Sequence, residues 1–115
     1  MKPIKYTPDA AEKLRYIDHS LRTQYGYVTA KKVIASMIKA IRNLSENERK
    51  GQAVEKLFDV KSDYRFIFVA HNYIFYRIEK EYIQIINIYH EKEDFMDGMF
   101  GIRTTSQETL DYWNE

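Results

Sequence analysis

Three short apolar-rich runs lie close together near the middle of the 115-residue chain. The runs span residues 64–70, 72–79 and 82–90 and are rich in Ile, Tyr, Phe and Val. Only the turn-like pairs His71-Asn72 and Lys80-Glu81 separate them. Runs of this length with so few linking residues predict the antiparallel strands of a meander. Arg65, Arg77 and His90 lie within these runs, where a polar side chain is either paired internally or used for function.

Two amphipathic helices are predicted ahead of the meander, after a short strand over residues 4–6. Thr7, Pro8 and Asp9 supply an N-cap, an N1 proline and an acidic first turn, and Gly26 is suited to end this helix. The second helix is predicted from about residue 29 to residue 44. Because the link is so short, the two helices must form an antiparallel hairpin. Residues 45–63 are polar and predict a loop or an irregular edge.

The chain turns apolar again after His90. Phe95, Met96, Met99 and Phe100 predict a short helix or turn packed on the body, and Thr105 with Glu108 predicts a capped terminal helix. The order β-α-α-β-β-β with a C-terminal helix predicts an α+β fold, in which a helical hairpin packs on a small, mostly antiparallel sheet. We expect one domain, with residues 1–97 as its body and 98–115 as a C-terminal helical extension.

Strict alternation along the last strand predicts two faces, neither of them cleanly polar. One face would carry Ile83, Ile85, Asn87 and Tyr89, and the other would carry Gln84, Ile86, Ile88 and His90. The outer face of the sheet is therefore expected to be covered, and a segment of a partner is a plausible cover.

Charge divides the chain into a basic and an acidic part. Residues 1–78 hold 15 Lys/Arg against 8 Asp/Glu, whereas residues 79–115 hold 3 against 9. This predicts a basic surface on the body, although a net charge of +1 is small for an obligate RNA binder. No apolar run approaches the roughly 18 residues of a membrane span, and the start lacks the apolar core of a signal peptide, so a cytoplasmic protein without membrane association is predicted.

Few kinds of chemistry remain open to this composition. The absence of Cys excludes disulfides and thiolate sites, and the three His residues lack ligand spacing, so no metal and no cofactor is predicted. General acid–base cleavage of RNA remains, with Glu55 as base, His90 as acid, and Arg65, Arg77 or Lys56 as the phosphate clamp. Each of these residues also has an ordinary interpretation. Glu55 would be a surface carboxylate, Arg65 an internal strap that binds loop carbonyls or a carboxylate, and His90 a satisfied histidine at a strand end.

The order of elements resembles the RelE/ParE superfamily of toxins from type II toxin–antitoxin modules. The similarity extends over residues 3–97, through the segments YTPDAAEKL, YRFIFV, NYIFYRI and IINIYHEKED and through Leu57. The resemblance implies a plasmid-stabilisation type of toxin that arrests growth, that a cognate antitoxin neutralises, and that forms a toxin–antitoxin hetero-oligomer.

The superfamily has an RNA-cleaving branch and a ParE branch, and the departures from the first favour the second. Glu55 two residues before Leu57, and His90 at the end of the last strand, match the RNA-cleaving pattern. Asn72, however, stands where that pattern has an arginine, and Glu91 follows His90 in place of a tyrosine.

The resemblance therefore implies inhibition of DNA gyrase through protein contact, the alternative being a ribosome-dependent mRNA endonuclease of the RelE or YoeB type. It leaves open whether the chain is an enzyme. The partner-binding residues expected on the sheet are Arg65, Tyr73, Arg77, Ile86, Ile88 and His90.

Overall fold

The structure, a computed structural model, describes residues 1–101 as an α+β fold. In chain order the elements are β1 (Ile4–Tyr6), α1 (Pro8–Tyr25), α2 (Tyr27–Asn43), β2 (Gln52–Ala53), α3 (Val54–Phe58), β3 (Arg65–Val69), β4 (Asn72–Ile78), β5 (Ile83–His90) and α4 (Phe95–Phe100). The predicted fold class is confirmed. The stretch predicted as a loop or irregular edge also contains β2 and α3, and the helix predicted from Thr105 lies outside the described residues.

The five strands form one sheet in the order β1-β5-β4-β3-β2. The predicted meander is confirmed, since β3, β4 and β5 pair antiparallel with their neighbours. β1 lies parallel to β5, with Ile4 opposite Ile83. This parallel pair forms because the helical hairpin carries the chain across one face of the sheet before the meander begins.

Local signals set the ends of the helical hairpin. The Thr7 hydroxyl accepts a hydrogen bond from the Ala10 N–H (3.1 Å) and donates one to the Ile86 carbonyl (2.6 Å), so the N-cap also ties α1 to β5. Gly26 ends α1 and precedes α2 directly, with a φ of +91° that favours glycine. Helix α2 therefore begins two residues earlier than predicted. None of the helices within residues 1–101 combines the length and apolarity needed to cross a bilayer.

Each face of the sheet has its own apolar cluster. The inner cluster packs between the helical hairpin and the sheet and contains Ala10, Met37, Ile41, Leu44, Ile74, Tyr76, Ile83, Ile85 and Ile88. The outer cluster is built on Val54, Phe66 and Phe75, and Phe58 of α3 and Phe95 of α4 pack against it. The outer face is thus covered at least in part by the chain itself, where a partner segment was expected.

A β-bulge overturns the predicted alternation along β5. The register of β4 with β5 shifts between Phe75 and Tyr76, which leaves Ile86 as the extra residue. Beyond the bulge the faces are exchanged, so Ile88 joins the inner cluster while Ile86 and Tyr89 pack on the outer one. The prediction of two faces by strict alternation was right through Ile86 and wrong from Asn87 onward, because it assumed an unbroken period of two.

Candidate partner-binding surface

Arg65 is held by the loop that precedes β2. Its Nη2 donates hydrogen bonds to the carbonyls of Arg49 (3.2 Å) and Gly51 (2.7 Å), while its buried Nε has no hydrogen-bond partner within residues 1–101. The interpretation of Arg65 as an internal strap on loop carbonyls is confirmed.

Tyr76, a residue of the inner cluster, holds the same loop in place. Its hydroxyl, on a fully buried side chain, donates to the Glu48 carbonyl (2.7 Å) and accepts from the Gly51 N–H (3.0 Å). Burial raises the pKa of Tyr76 above its usual value, and the hydrogen bond from Gly51 and the nearby Arg65 guanidinium oppose that shift. Sequence reasoning missed this role, because a tyrosine within an apolar run is indistinguishable from a core residue.

Arg77 lies on the opposite face of the sheet from Arg65. Along β4 it alternates with Tyr76, which belongs to the inner cluster, whereas Arg65 shares its face with the inner residue Ile67. The Arg77 Nε pairs with Glu79 Oε1 at 2.6 Å, and the guanidinium carbon lies 5.7 Å from the centre of the Tyr64 ring. The two arginines that sequence reasoning treated as alternative clamps therefore have separate surroundings.

His90 lies at the far end of the sheet, beside α1. It is opposite Asn72 in the sheet and lines a groove of about 700 Å³ with Lys13, Tyr16 and Glu93. Its Nδ1 accepts the N–H of Lys92 at 3.1 Å.

Glu93 joins this end of the sheet to α1. It accepts hydrogen bonds from Lys13 Nζ (2.8 Å) and from the His90 N–H (2.9 Å). Burial alone would raise the pKa of Glu93, but these two hydrogen bonds and the charges of Lys13 and His90 hold the pKa below its usual value.

Asn72, the residue at the position of the expected arginine, serves the turn between β3 and β4. Its Nδ2 donates to the Ala70 carbonyl at 2.7 Å, and only 4% of its surface is exposed. Ala70 and His71 in this turn both have a positive φ. The Asn72 side chain is therefore committed to a tight turn and presents no cation.

The four candidate catalytic residues are not brought together. Arg65 is in register with Tyr76, and His90 is in register with Asn72, four residues away along β4 and about 13 Å at the usual strand rise. Arg77 is farther still and on the other face, whereas Glu55, exposed at the start of α3, lies two residues after Ala53, the register partner of Arg65. A general acid, a general base and a clamp must reach the same reacting atoms, whereas Arg65, Arg77 and His90 lie on different strands and not all on one face of the sheet.

The six residues expected to bind a partner are divided in the same way. Tyr73 packs on the outer cluster, with its ring 4.9 Å from Phe68 and 4.9 Å from Phe95 of α4, and Ile86 packs there too. Arg77 shares that face. Ile88 has no exposed surface, so it offers no contact in this conformation.

A second surface was not predicted as a site. Lys39 and Arg42 of α2 and Arg49 and Lys50 of the following loop are all exposed and lie around one groove and its rim. The sequence indicated this surface only through the excess of basic residues in the first 78 positions. That excess does not show which of the basic side chains lie next to one another in the fold.

A family model described as the ParE toxin of the type II toxin-antitoxin system parDE matches residues 4–95. The chain belongs to the ParE toxin family. The resemblance to the RelE/ParE superfamily, and to its ParE branch, is thereby confirmed.

The fold of this ParE family member is also similar to a solved structure. A chain described as the chromosomal ParDE TA system from P. aeruginosa superimposes with a TM-score of 0.66 at 20% sequence identity, covering 78% of this chain and 96% of that one. At this identity the likeness shows a common fold. A search of curated proteins gives no significant match.

Proposed function

We propose that this chain is a growth-arresting toxin of the cytoplasm that acts by binding a protein target, DNA gyrase, and that a cognate antitoxin neutralises it. The observation that carries the proposal is the separation of the candidate catalytic residues. Arg65 donates hydrogen bonds to the carbonyls of a loop, and Arg77 forms an ion pair with Glu79 on the other face of the sheet. His90 lies at the far end of the sheet. Membership of the ParE family supports a toxin that binds in preference to one that cleaves RNA.

The tip of the helical hairpin offers a surface suited to protein contact. Tyr25, Tyr27 and Val28, next to the turn at Gly26, are 64%, 57% and 66% exposed. Aromatic residues are enriched where proteins meet, and apolar side chains grouped at one exposed turn are a common mark of such a site. We infer that this tip contributes to binding of the target.

The antitoxin is proposed to bind the sheet and the groove beside α1. Tyr73 and Arg77 on the outer face and His90 in the groove beside α1 remain candidates for its contacts, as does the half-buried Ile86. A toxin–antitoxin hetero-oligomer would follow from this contact. Arg65 is proposed to act only by holding its loop, since its donors are turned toward the carbonyls of Arg49 and Gly51.

Induction of the chain in cells tests the target. We expect growth arrest with a DNA-damage (SOS) response and intact mRNA, and we expect purified chain to inhibit supercoiling by gyrase. The double variant Glu55→Ala/His90→Ala should retain both effects, because binding to a protein target requires neither a general base nor a general acid. Rapid cleavage of mRNA on ribosomes, lost in this folded double variant, would establish the endonuclease instead.

A further inference from the structure

Four cations near the end of α2 have no acidic partner. Lys39, Arg42, Arg49 and Lys50 are exposed, and within residues 1–101 none of them forms an ion pair. We refer to these four residues as the basic track. Three of them, Lys39, Arg42 and Lys50, line an open groove of about 800 Å³ between α2 and the residues that lead into β1.

The basic track is held in place by the fold. Lys39 and Arg42 are three residues apart on α2, so they lie on one face of that helix. The backbone of Arg49 and of its neighbours Glu48 and Gly51 is fixed by the hydrogen bonds from Arg65 and Tyr76. A cationic site on a fixed backbone loses less conformational entropy on binding than the same charges on a mobile loop.

Few acidic side chains near the basic track could compete with an anionic ligand for the four cations. Glu48 is paired with Lys2 at 2.8 Å, and Glu46 is the acidic side chain that lines the groove. The groove also has apolar lining from Pro3, Ile4 and Ala40. Its surface is therefore suited to an anionic ligand that carries apolar side chains.

An open strand edge continues from this groove. Strand β2 pairs only with Arg65 and Phe66 of β3. The hydrogen bond from the Val54 N–H to the Tyr64 carbonyl shows that Tyr64 turns its backbone groups toward β2, and by alternation so do Phe66 and Phe68.

Phe68 lies beyond Gln52, the first residue of β2, so its N–H and C=O face an open edge. Within the described residues nothing hydrogen-bonds to these two groups, and the Phe68 side chain is 51% exposed. A cavity of about 320 Å³ at this edge shares Ala40 and Lys50 with the basic groove, so the two surfaces are continuous.

We propose that an acidic, extended segment of a partner protein binds along the basic track, with its carboxylates on the four cations and one end paired as an added strand against Phe68. A strand edge recognises the backbone of a polypeptide, which nucleic acid lacks. Glu46 in the groove also repels a polyanion. The inference does not depend on which cellular process the toxin stops.

A labelled synthetic peptide tests the proposal by fluorescence anisotropy with the full chain. The probe alternates Glu with Val and Thr; one control peptide carries Gln in place of every Glu, and a second probe is a single-stranded RNA of the same charge. Binding of the acidic peptide, with none of the Gln peptide and weaker binding of the RNA, is expected. No binding of the acidic peptide, or tighter binding of the RNA at the same residues, would overturn the proposal.

Two pairs of variants locate the contact. Lys39→Glu/Arg42→Glu should weaken peptide binding roughly tenfold or more, about 1.4 kcal/mol, whereas Lys61→Glu/Lys80→Glu, an equal charge change at exposed sites elsewhere, should leave it within about twofold. Equal losses in both doubles would mean non-specific attraction and refute the site.

The strand edge has its own pair of variants. Phe68→Pro removes the outward N–H, which an edge strand tolerates, and Phe68→Thr removes the ring but keeps the N–H. Weaker binding to Phe68→Pro than to Phe68→Thr is expected, and equal binding would refute the added strand. Far-UV circular dichroism confirms that each variant is folded.

Discussion

The hydroxyl of Tyr76 joins the inner core to the loop over residues 48–51, and its removal in Tyr76→Phe isolates that link. The ring would stay in the core, since Phe has nearly the same shape. What is lost is the hydrogen bond to the Glu48 carbonyl at 2.7 Å and the one from the Gly51 N–H at 3.0 Å. Gly51 is itself buried, so its N–H has no access to water as a substitute.

The size of the effect follows from these two bonds. An intramolecular hydrogen bond contributes about 1 kcal/mol net, and a buried donor left without an acceptor costs about 1–3 kcal/mol. The Glu48 carbonyl is near the surface and regains water, so most of the penalty comes from Gly51. We expect a loss of about 2–4 kcal/mol in the free energy of unfolding, which for a domain of this size lowers Tm by about 8–16 °C.

Urea and thermal denaturation, followed by far-UV circular dichroism, measure this loss. Tyr16→Phe is the matched control, because the Tyr16 side chain is 64% exposed and forms no hydrogen bond within residues 1–101; it should change stability by less than about 0.5 kcal/mol. A loss below about 1 kcal/mol in Tyr76→Phe, or an equal loss in both variants, would refute the view that the hydroxyl fastens the loop.

Three further predictions concern other links in the fold. Thr7→Ala removes the N-cap of α1 and should cost about 1–2 kcal/mol in urea denaturation; no loss would mean that the cap is dispensable. Gly51→Ala would place a Cβ 2.6 Å from the Tyr76 hydroxyl, and the resulting overpacking should cost about 1–3 kcal/mol; wild-type stability would show that the loop can move aside. The lowered pKa of Glu93 stabilises the fold above the carboxyl's unfolded pKa, and this contribution is lost as pH falls through the folded value. Glu93→Gln should therefore flatten the decline of stability in acid, and Lys13→Gln should do the same; unchanged pH profiles would refute the pairing.

The cover on the outer face bears on how a partner could reach the sheet. Phe95 of α4 lies 5.1 Å from Phe58, 4.9 Å from Tyr73 and 5.3 Å from Phe75, measured between ring centres. These contacts place α4 over the face for which a partner segment was the expected cover. A ligand of the outer face must bind beside α4, whereas the basic track on α2 and its loop is accessible without any rearrangement.

Local order along the chain was predictable from the sequence, because it depends on neighbouring residues. The Thr7-Pro8-Asp9 signal starts α1 where expected, Gly26 ends it, and the three apolar runs become the meander. The short helix over Phe95–Phe100 was also predicted, from its apolar spacing. The absence of an arginine at Asn72 pointed to the ParE branch from the sequence alone.

Only the tertiary structure decided which polar residues share a site. The bulge at Ile86 exchanges the faces of β5 and places Ile88 in the core, and no local pattern announces such a shift in register. Arg65 and Arg77 look equivalent in sequence, yet strand pairing puts them on opposite faces with different partners.

The same reasoning applies to the basic track. Its charges come from α2 and from a loop that the half-buried Arg65 and the buried Tyr76 fix from strands far along the chain. Sequence determined that a basic body and an acidic end would exist, since charge is a property of composition. Where those charges meet is set by long-range packing and hydrogen bonds, which only the folded chain supplies.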